Sequence, residues 1–173
     1  MIGAAGAAAL LLSVALLCVR RIDTAVQICA LQALCTAVAL GEAAAVVAVL
    51  AFALNGVMLP LVLVRMNGAS MPALRGNALL VGAVAMALLV VILSVAAKLG
   101  AGEVVAAGVS VTLLGVLLAV SRSDGWAVLG LLSSQNGLVL VAGANSDLSR
   151  MAVLAVAVPL VPGLVLAGMR LRG

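Results

Sequence analysis

Amide and hydroxyl side chains interrupt several long apolar stretches of this 173-residue sequence. The densest group lies in GLLSSQNGLVLVAG, residues 130–143, where four consecutive polar residues run from Ser133 to Asn136. Further polar residues that stand within apolar stretches include Gln27, Gln32, Asn55, Ser110 and Thr112. Side chains of these types donate and accept hydrogen bonds, but they do not exchange protons near neutral pH. They could therefore join one helix to another or contribute to a hydrated polar patch, and they could not serve as acids or bases.

Titratable residues are confined to the ends of the apolar stretches and to the segments between them. The chain has no His, and its nine Lys and Arg and five Asp and Glu all lie in those positions. Cys18, Cys29 and Cys35 lack the C-x-x-C spacing of metal and redox sites, and we interpret Cys29 and Cys35 as small apolar residues of a helix. We expect no catalytic site, no metal site and no cofactor in this chain, and no self-sufficient ion pump, because no Asp, Glu, Lys, Arg or His lies inside an apolar stretch.

The elements that must position the polar side chains are transmembrane helices. Hydrophobic residues make up 67% of the chain and charged residues only 8%, which is too little charge to cover a soluble domain. Seven continuous apolar runs approach the roughly 20 residues that a helix needs to cross a bilayer. The predicted spans are residues 2–19, 24–40, 43–64, 77–97, 104–120, 126–143 and 151–169. The predicted fold is therefore an all-α integral membrane protein, a bundle of seven transmembrane helices.

Basic residues divide unequally between the two sides of such a bundle. Seven arginines share one side, at positions 20, 21, 65, 75, 122, 170 and 172, whereas only Lys98 and Arg150 lie on the other. By the positive-inside rule the larger group is cytoplasmic, which places the N-terminus outside and the C-terminus in the cytoplasm. One long kinked segment in place of the second and third spans would break this division. We expect residues 1–173 to form a single membrane domain, with a cytoplasmic loop at residues 66–77.

Three local features refine this bundle. Trp126 is predicted to lie in an interfacial aromatic belt at the cytoplasmic start of the sixth span. Pro159 and Pro162 are predicted to kink the seventh span, either as a packing kink or as a point where water enters. The 18 glycines indicate close packing of helices, although no G-x-x-x-G spacing marks a contact face.

Several stretches of the chain resemble component E of hydrogenase-4 and related subunits of formate hydrogenlyase and group 4 hydrogenase complexes. Gln135-Asn136-Gly137 stands where that family carries Glu-Asn-Gly. RRIDTAVQICALQALCTAVAL, residues 20–40, resembles the family's first loop and second helix, with Gln32 on an Ala-x-Gln motif. GEAAAVVAVLAFALNGVMLPLVLVRMN, residues 41–67, resembles its third helix, with Val57-Met58-Leu59-Pro60 near the family's Val-Leu-Leu-Val-Pro. Residues 104–169 are also similar to the three-helix K subunit of complex I, and more distantly to the C subunit of multisubunit Na⁺/H⁺ antiporters.

The sequence departs from this family at the positions that would relay protons. Gln135 replaces a glutamate, the family's lysine in the third span falls at about Asn55 or Gly56, and its carboxylate in the seventh span falls near residues 157–159, where nothing titrates. An amide keeps the shape and the hydrogen bonds of a carboxyl group but cannot carry its charge. We therefore interpret Gln32, Asn55, Gln135 and Asn136 as intramembrane polar positions, and Gln135 as a neutralised relay position whose amide bonds across helices.

The resemblance implies a membrane subunit of a complex I-like, redox-driven proton-translocating complex of the hydrogenase or formate hydrogenlyase type. Its partners would be antiporter-like membrane subunits and a membrane-anchoring subunit, in the cytoplasmic membrane of a bacterium or archaeon. Nickel–iron and iron–sulfur centres would belong to partner subunits, and the net charge of +4 does not indicate nucleic-acid binding. The alternatives are a subunit of a multisubunit cation/proton antiporter, and a small stand-alone transporter or scaffold protein.

Overall fold

The computed structural model describes residues 2–19, 21–40, 52–58, 102–121 and 124–144, together with positions 49, 60, 61 and 84. These residues form four α-helices and one π-helical segment, and they include no β-strand. We number the α-helices α1 (Ile2–Cys18), α2 (Ile22–Leu40), α3 (Glu103–Ser121) and α4 (Asp124–Ala144), and the π-helical segment is Phe52–Met58. The prediction of an all-α fold is confirmed for this part of the chain.

Three of the helices are long and apolar enough to cross a membrane. The qualifying stretches are Ile22–Ala39 of α2, Glu103–Val120 of α3 and Trp126–Ala144 of α4, and α1 contributes a shorter apolar stretch, Ala4–Cys18. The ends of these four helices agree with the predicted first, second, fifth and sixth spans to within two residues. The loop at 66–77, the seventh span with Pro159 and Pro162, and all of the fourth span except position 84 lie outside the described residues.

The centre of the predicted third span differs from a regular α-helix. Phe52–Met58 is π-helical, with a wider turn and i→i+5 hydrogen bonds. Pro60 follows two residues later and has no N–H to donate to the carbonyl of residue 56, so the regular α-helical ladder is interrupted there. A Cβ on Gly56 would lie 3.1 Å from the Cβ of Ala33, so glycine at this position lets the segment approach α2 closely.

The four α-helices pack in a closed ring. α1 contacts α2 and α3, α4 contacts the same two helices, and the π-helical segment packs on the outside of α2. At one end of the ring lies an apolar cluster that includes Leu16, Ile22, Cys29, Leu118, Trp126, Leu129 and Leu132. At the other end lies a second cluster of Ala9, Ala39, Val111 and Leu140. Between these two clusters, α1, α2 and α4 each contribute buried polar side chains, which are described below.

Trp126 occupies the interior of the ring. Its side chain is 0% exposed and belongs to the first apolar cluster, together with Leu16 of α1 and Ile22 of α2. Trp126 lies near the start of its helix, as predicted, but its side chain packs against the other helices, whereas a belt residue would face lipid. The large indole ring fills the volume where the ends of several helices meet, and this burial outweighs the preference of tryptophan for the membrane surface.

Candidate functional site

Gln32 of α2 is the centre of the polar contacts inside the ring. Its side chain is fully buried, and its Nε2 lies 2.5 Å from Ser13 Oγ of α1 and 3.0 Å from Ser133 Oγ of α4. A third acceptor, the carbonyl oxygen of Ala9, lies 3.4 Å from the same nitrogen. An amide nitrogen carries two hydrogens, so three acceptors share two donors and the two hydroxyl oxygens hold the shorter contacts.

The oxygen of the Gln32 amide is used as well. Asn136 Nδ2 donates to Gln32 Oε1 across 3.4 Å. Ser133 and Asn136 are three residues apart, and this spacing places both side chains on the face of α4 that contacts α2. We call Ser13, Gln32, Ser133 and Asn136 the polar layer. It joins α1, α2 and α4 at a level between the two apolar clusters.

Other buried hydroxyls are satisfied within their own helices. Thr36 Oγ1 donates to the Gln32 carbonyl oxygen at 3.0 Å, and Ser110 Oγ donates to the Ala106 carbonyl oxygen at 2.8 Å. Ser13 Oγ likewise donates to the Ala9 carbonyl oxygen at 3.0 Å, which leaves its oxygen lone pairs available to accept from Gln32. The hydroxyl of Ser13 therefore serves both its own helix and the polar layer.

The α3–α4 contact is built from glycines. Gly108 and Gly115 on α3 are seven residues apart, as are Gly130 and Gly137 on α4, so each pair lies on one helix face two turns apart. A Cβ on Gly115 would lie 2.5 Å from the backbone nitrogen of Ser134, and one on Gly130 would lie 2.6 Å from the carbonyl oxygen of Gly115. Any side chain at these positions would push the backbones apart.

This close approach allows side chain to backbone bonds between the two helices. Ser134 Oγ donates to the Thr112 carbonyl oxygen at 3.0 Å, and Thr112 Oγ1 lies 3.4 Å from the Ser134 carbonyl oxygen. The polar residues of α4 therefore divide by face. Ser134 bonds to α3, whereas Ser133 and Asn136 bond to α2.

Gln135 and Asn55 differ from every other buried amide of the described residues. Gln135 is 3% exposed and Asn55 is 0% exposed. Neither the nitrogen nor the oxygen of either amide has a hydrogen-bond partner within the described part of the chain. Gln135 follows Ser133 by two residues, roughly 200° around the helix, so it lies on the side of α4 away from α2 and α3.

The four predicted polar positions are all buried, but the structure brings only two of them together. Gln32 and Asn136 share a hydrogen bond, and Gln135 and Asn55 stand apart from the polar layer. Gln135 makes no bond across helices within the described residues, because its direction from α4 carries it away from both described neighbours of that helix. Among the described residues, Gln32 is the amide that bonds to two other helices. Gln27, on the same helix, is exposed.

Two functional positions were not among the predicted site residues. Ser13 stands alone in an apolar helix, and a single hydroxyl of that kind usually bonds to its own backbone, so its sequence context carries no signal for a cross-helix contact. Ser133 lies next to the predicted amides, and its i, i+3 spacing from Asn136 could have identified it. The seven-residue spacing of the glycines is also visible in the sequence, and it marks the α3–α4 contact that a search for G-x-x-x-G does not find.

The chemistry available to the polar layer is limited to hydrogen bonding. Its four side chains are amides and hydroxyls, which neither gain nor lose a proton near neutral pH. Among the described residues no group of three or more His, Cys, Asp or Glu is arranged to hold a metal ion. The layer can fix the register of α1, α2 and α4, and it cannot itself take up and release a proton.

Comparison of the chain with protein-family models, with curated proteins and with solved structures finds no match.

Proposed function

We propose that this chain is a membrane subunit of a complex I-like, redox-driven proton-translocating complex of the hydrogenase or formate hydrogenlyase type. Its role there is structural and coupling rather than catalytic. The class of complex is suggested by the resemblance of residues 20–67 and 130–143 to component E of hydrogenase-4. The bundle of seven helices with a cytoplasmic C-terminus belongs to the same proposal.

The observation that carries the structural role is the polar layer. Its four uncharged side chains are each at most 2% exposed, and they join three helices through the single amide of Gln32. A relay would need a group that changes its protonation state at this depth. A neutral, bonded layer instead holds the helices in one arrangement, which is what a subunit needs when it transmits movement or maintains contact between larger partners.

The proposed partners are antiporter-like membrane subunits and a membrane-anchoring subunit of a hetero-oligomeric complex. In this arrangement nickel–iron and iron–sulfur centres reside in other subunits, and the complex lies in the cytoplasmic membrane of a bacterium or archaeon. Three helices of sufficient length and apolarity support the membrane location. The composition supports it too, with 67% hydrophobic and 8% charged residues.

Purification of the tagged full-length chain from its native cells in a mild detergent tests the proposal. We expect it to elute with large antiporter-like subunits and with subunits that bind nickel and iron–sulfur clusters, as identified by mass spectrometry and metal analysis. Recovery with antiporter-type subunits alone would replace the proposal with the cation/proton antiporter alternative. Elution as a stable monomer would overturn both, and would leave a stand-alone transporter or scaffold protein.

A further inference from the structure

The amides of Gln135 and Asn55 raise a physical problem that the polar layer does not solve. An amide that is moved from water into an apolar environment without hydrogen bonds costs on the order of several kcal/mol. Both amides are at least nine-tenths buried, and neither has a bond within the described residues. Gln32 and Asn136 are equally buried and are bonded to each other. The described part of the chain therefore leaves the amides of Gln135 and Asn55 without a partner, and a bound ligand would satisfy them.

Burial restricts what that ligand can be. Gln135 is 3% exposed and Asn55 is 0% exposed, so a side chain of a partner subunit has no surface through which to reach them. The ligand is small and lies inside the chain.

The chemistry of the unsatisfied atoms restricts it further. In each amide both the nitrogen, a donor, and the oxygen, an acceptor, lack a partner. A cation would satisfy only the oxygen, and an anion would satisfy only the nitrogen. Water can donate to the oxygen and accept from the nitrogen. Buried waters of globular proteins typically make about three hydrogen bonds to polar groups of this kind.

We propose that Gln135 and Asn55 are binding sites for internal water. At Asn55 the surrounding backbone is suited to such a site, because the π-helical segment interrupts the regular α-helical bonding, and water can insert at interruptions of this kind. Gln135 holds its water on the side of α4 opposite to α2 and α3. The two sites are independent of the role assigned to the complete subunit.

Solid-state NMR of the full-length chain in lipid vesicles can test each site without a mutation. Side-chain amides labelled with ¹⁵N are observed after magnetisation transfer from water, and the rate of signal growth reports whether water lies beside each amide. The backbone amides can be assigned by labelling the preceding carbonyl, because Ser-Gln at 134–135 and Leu-Asn at 54–55 each occur once in the sequence, and each side-chain amide is then linked to its backbone through the carbons of the same residue. The same is true of the pairs that identify Gln32 and Asn136.

Each amide has a control of the same residue type and burial. Gln135 is compared with Gln32, and Asn55 is compared with Asn136. Both control amides form hydrogen bonds to other side chains of the polar layer. We expect the signals of Gln135 and Asn55 to grow several-fold faster than those of their controls, and to keep that rate when sodium is replaced by potassium. A rate equal to that of the control overturns the water site at that amide, and a shift of the amide signal on exchange of the cation overturns water as the ligand.

Discussion

The side-chain nitrogen of Gln32 lies 3.0 Å from the hydroxyl oxygen of Ser133, although the two residues are 101 positions apart in the chain. The same nitrogen reaches Ser13 on α1, so one amide connects three helices. Because the amide is fully buried, its loss would leave several polar groups without a partner at once. The following predictions start from this relationship.

Replacement of Gln32 by leucine is expected to destabilise the fold by about 1–3 kcal/mol, because Ser133 and Asn136 lose a buried partner and cannot reach water. Unfolding in detergent mixtures can be followed through Trp126, the single tryptophan of the chain, which is fully buried in the native fold. Gln27→Leu is the matched control, since Gln27 lies on the same helix and is exposed. Equal losses for the two variants would contradict the central role of Gln32.

The destabilisation caused by Gln32→Leu is expected to be independent of pH between about pH 5 and about pH 8, since amides and hydroxyls do not titrate in that range. A residue changes the pH dependence of the unfolding free energy only if its pKa differs between the folded and unfolded states. No residue of the polar layer has a pKa in this range. The measurement is the difference in unfolding free energy between wild type and variant across the range. A slope in that difference would show that a titratable group is coupled to the layer.

Ser133→Ala is expected to cost about 0.6–2 kcal/mol, the usual value of a hydrogen bond between membrane helices. Ser110→Ala is the control, because Ser110 is also buried and bonds only to the Ala106 carbonyl oxygen of its own helix. That carbonyl keeps its backbone partner when the hydroxyl is removed, so the control is expected to lose less. The interaction between Gln32 and Ser133 can be isolated by a double-mutant cycle of Gln32→Leu and Ser133→Ala. Additive losses would argue against a direct bond.

Gly115→Ala and Gly130→Ala are each expected to destabilise the fold by about 1–3 kcal/mol or more, because the new methyl group would overlap backbone atoms of the facing helix. Gly6→Ala on α1 is the control. A Cβ there would lie 3.5 Å from the Cβ of Ala107, an ordinary contact, and alanine favours a helix by about 1 kcal/mol over glycine. Similar stabilities of all three variants would show that the backbones of α3 and α4 lie far enough apart at Gly115 and Gly130 to admit a methyl group.

Gln135→Leu is expected to change stability far less than Gln32→Leu, although the two glutamines are similarly buried. Gln135 gives up no bond to a described residue, and replacing an amide by an apolar group of similar size is nearly neutral when no protein partner is left behind. The measurement is thermal unfolding of the two variants in the same lipid and detergent mixture. A loss as large as that of Gln32→Leu would mean that Gln135 is bonded to protein.

The sequence predicts the positions of the helices better than the faces on which they meet. Continuous apolar runs and the charges between them were enough to locate α1, α2, α3 and α4 to within two residues at each end. Hydropathy does not say which side of a helix meets which neighbour when nearly every residue is apolar. For that reason Gln32 and Gln135 look alike in the sequence, although only Gln32 lies on a face that meets other described helices.

The two remaining differences depend on contacts between helices. The π-helical segment at Phe52–Met58 depends on Pro60 and on the close approach of Gly56 to Ala33. The sequence shows the proline, but it does not show that another helix lies so close. The burial of Trp126 depends on how four helix ends converge on one volume, which is a property of the assembled ring.

The distance of 101 residues between Gln32 and Ser133 also sets an order of events during synthesis. When α2 enters the membrane, the cross-helix partners already made for its amide are Ser13 and the Ala9 carbonyl of α1. At ribosomal rates the remaining partners on α4 arrive on the order of ten seconds later. The α3–α4 hairpin can close on its own through neighbouring glycines, and its docking onto α1 and α2 then completes the bonding of Gln32. A chain that stops before α4 leaves that amide with its α1 partners alone, so the bonding of Gln32 distinguishes the unfinished chain from the complete one.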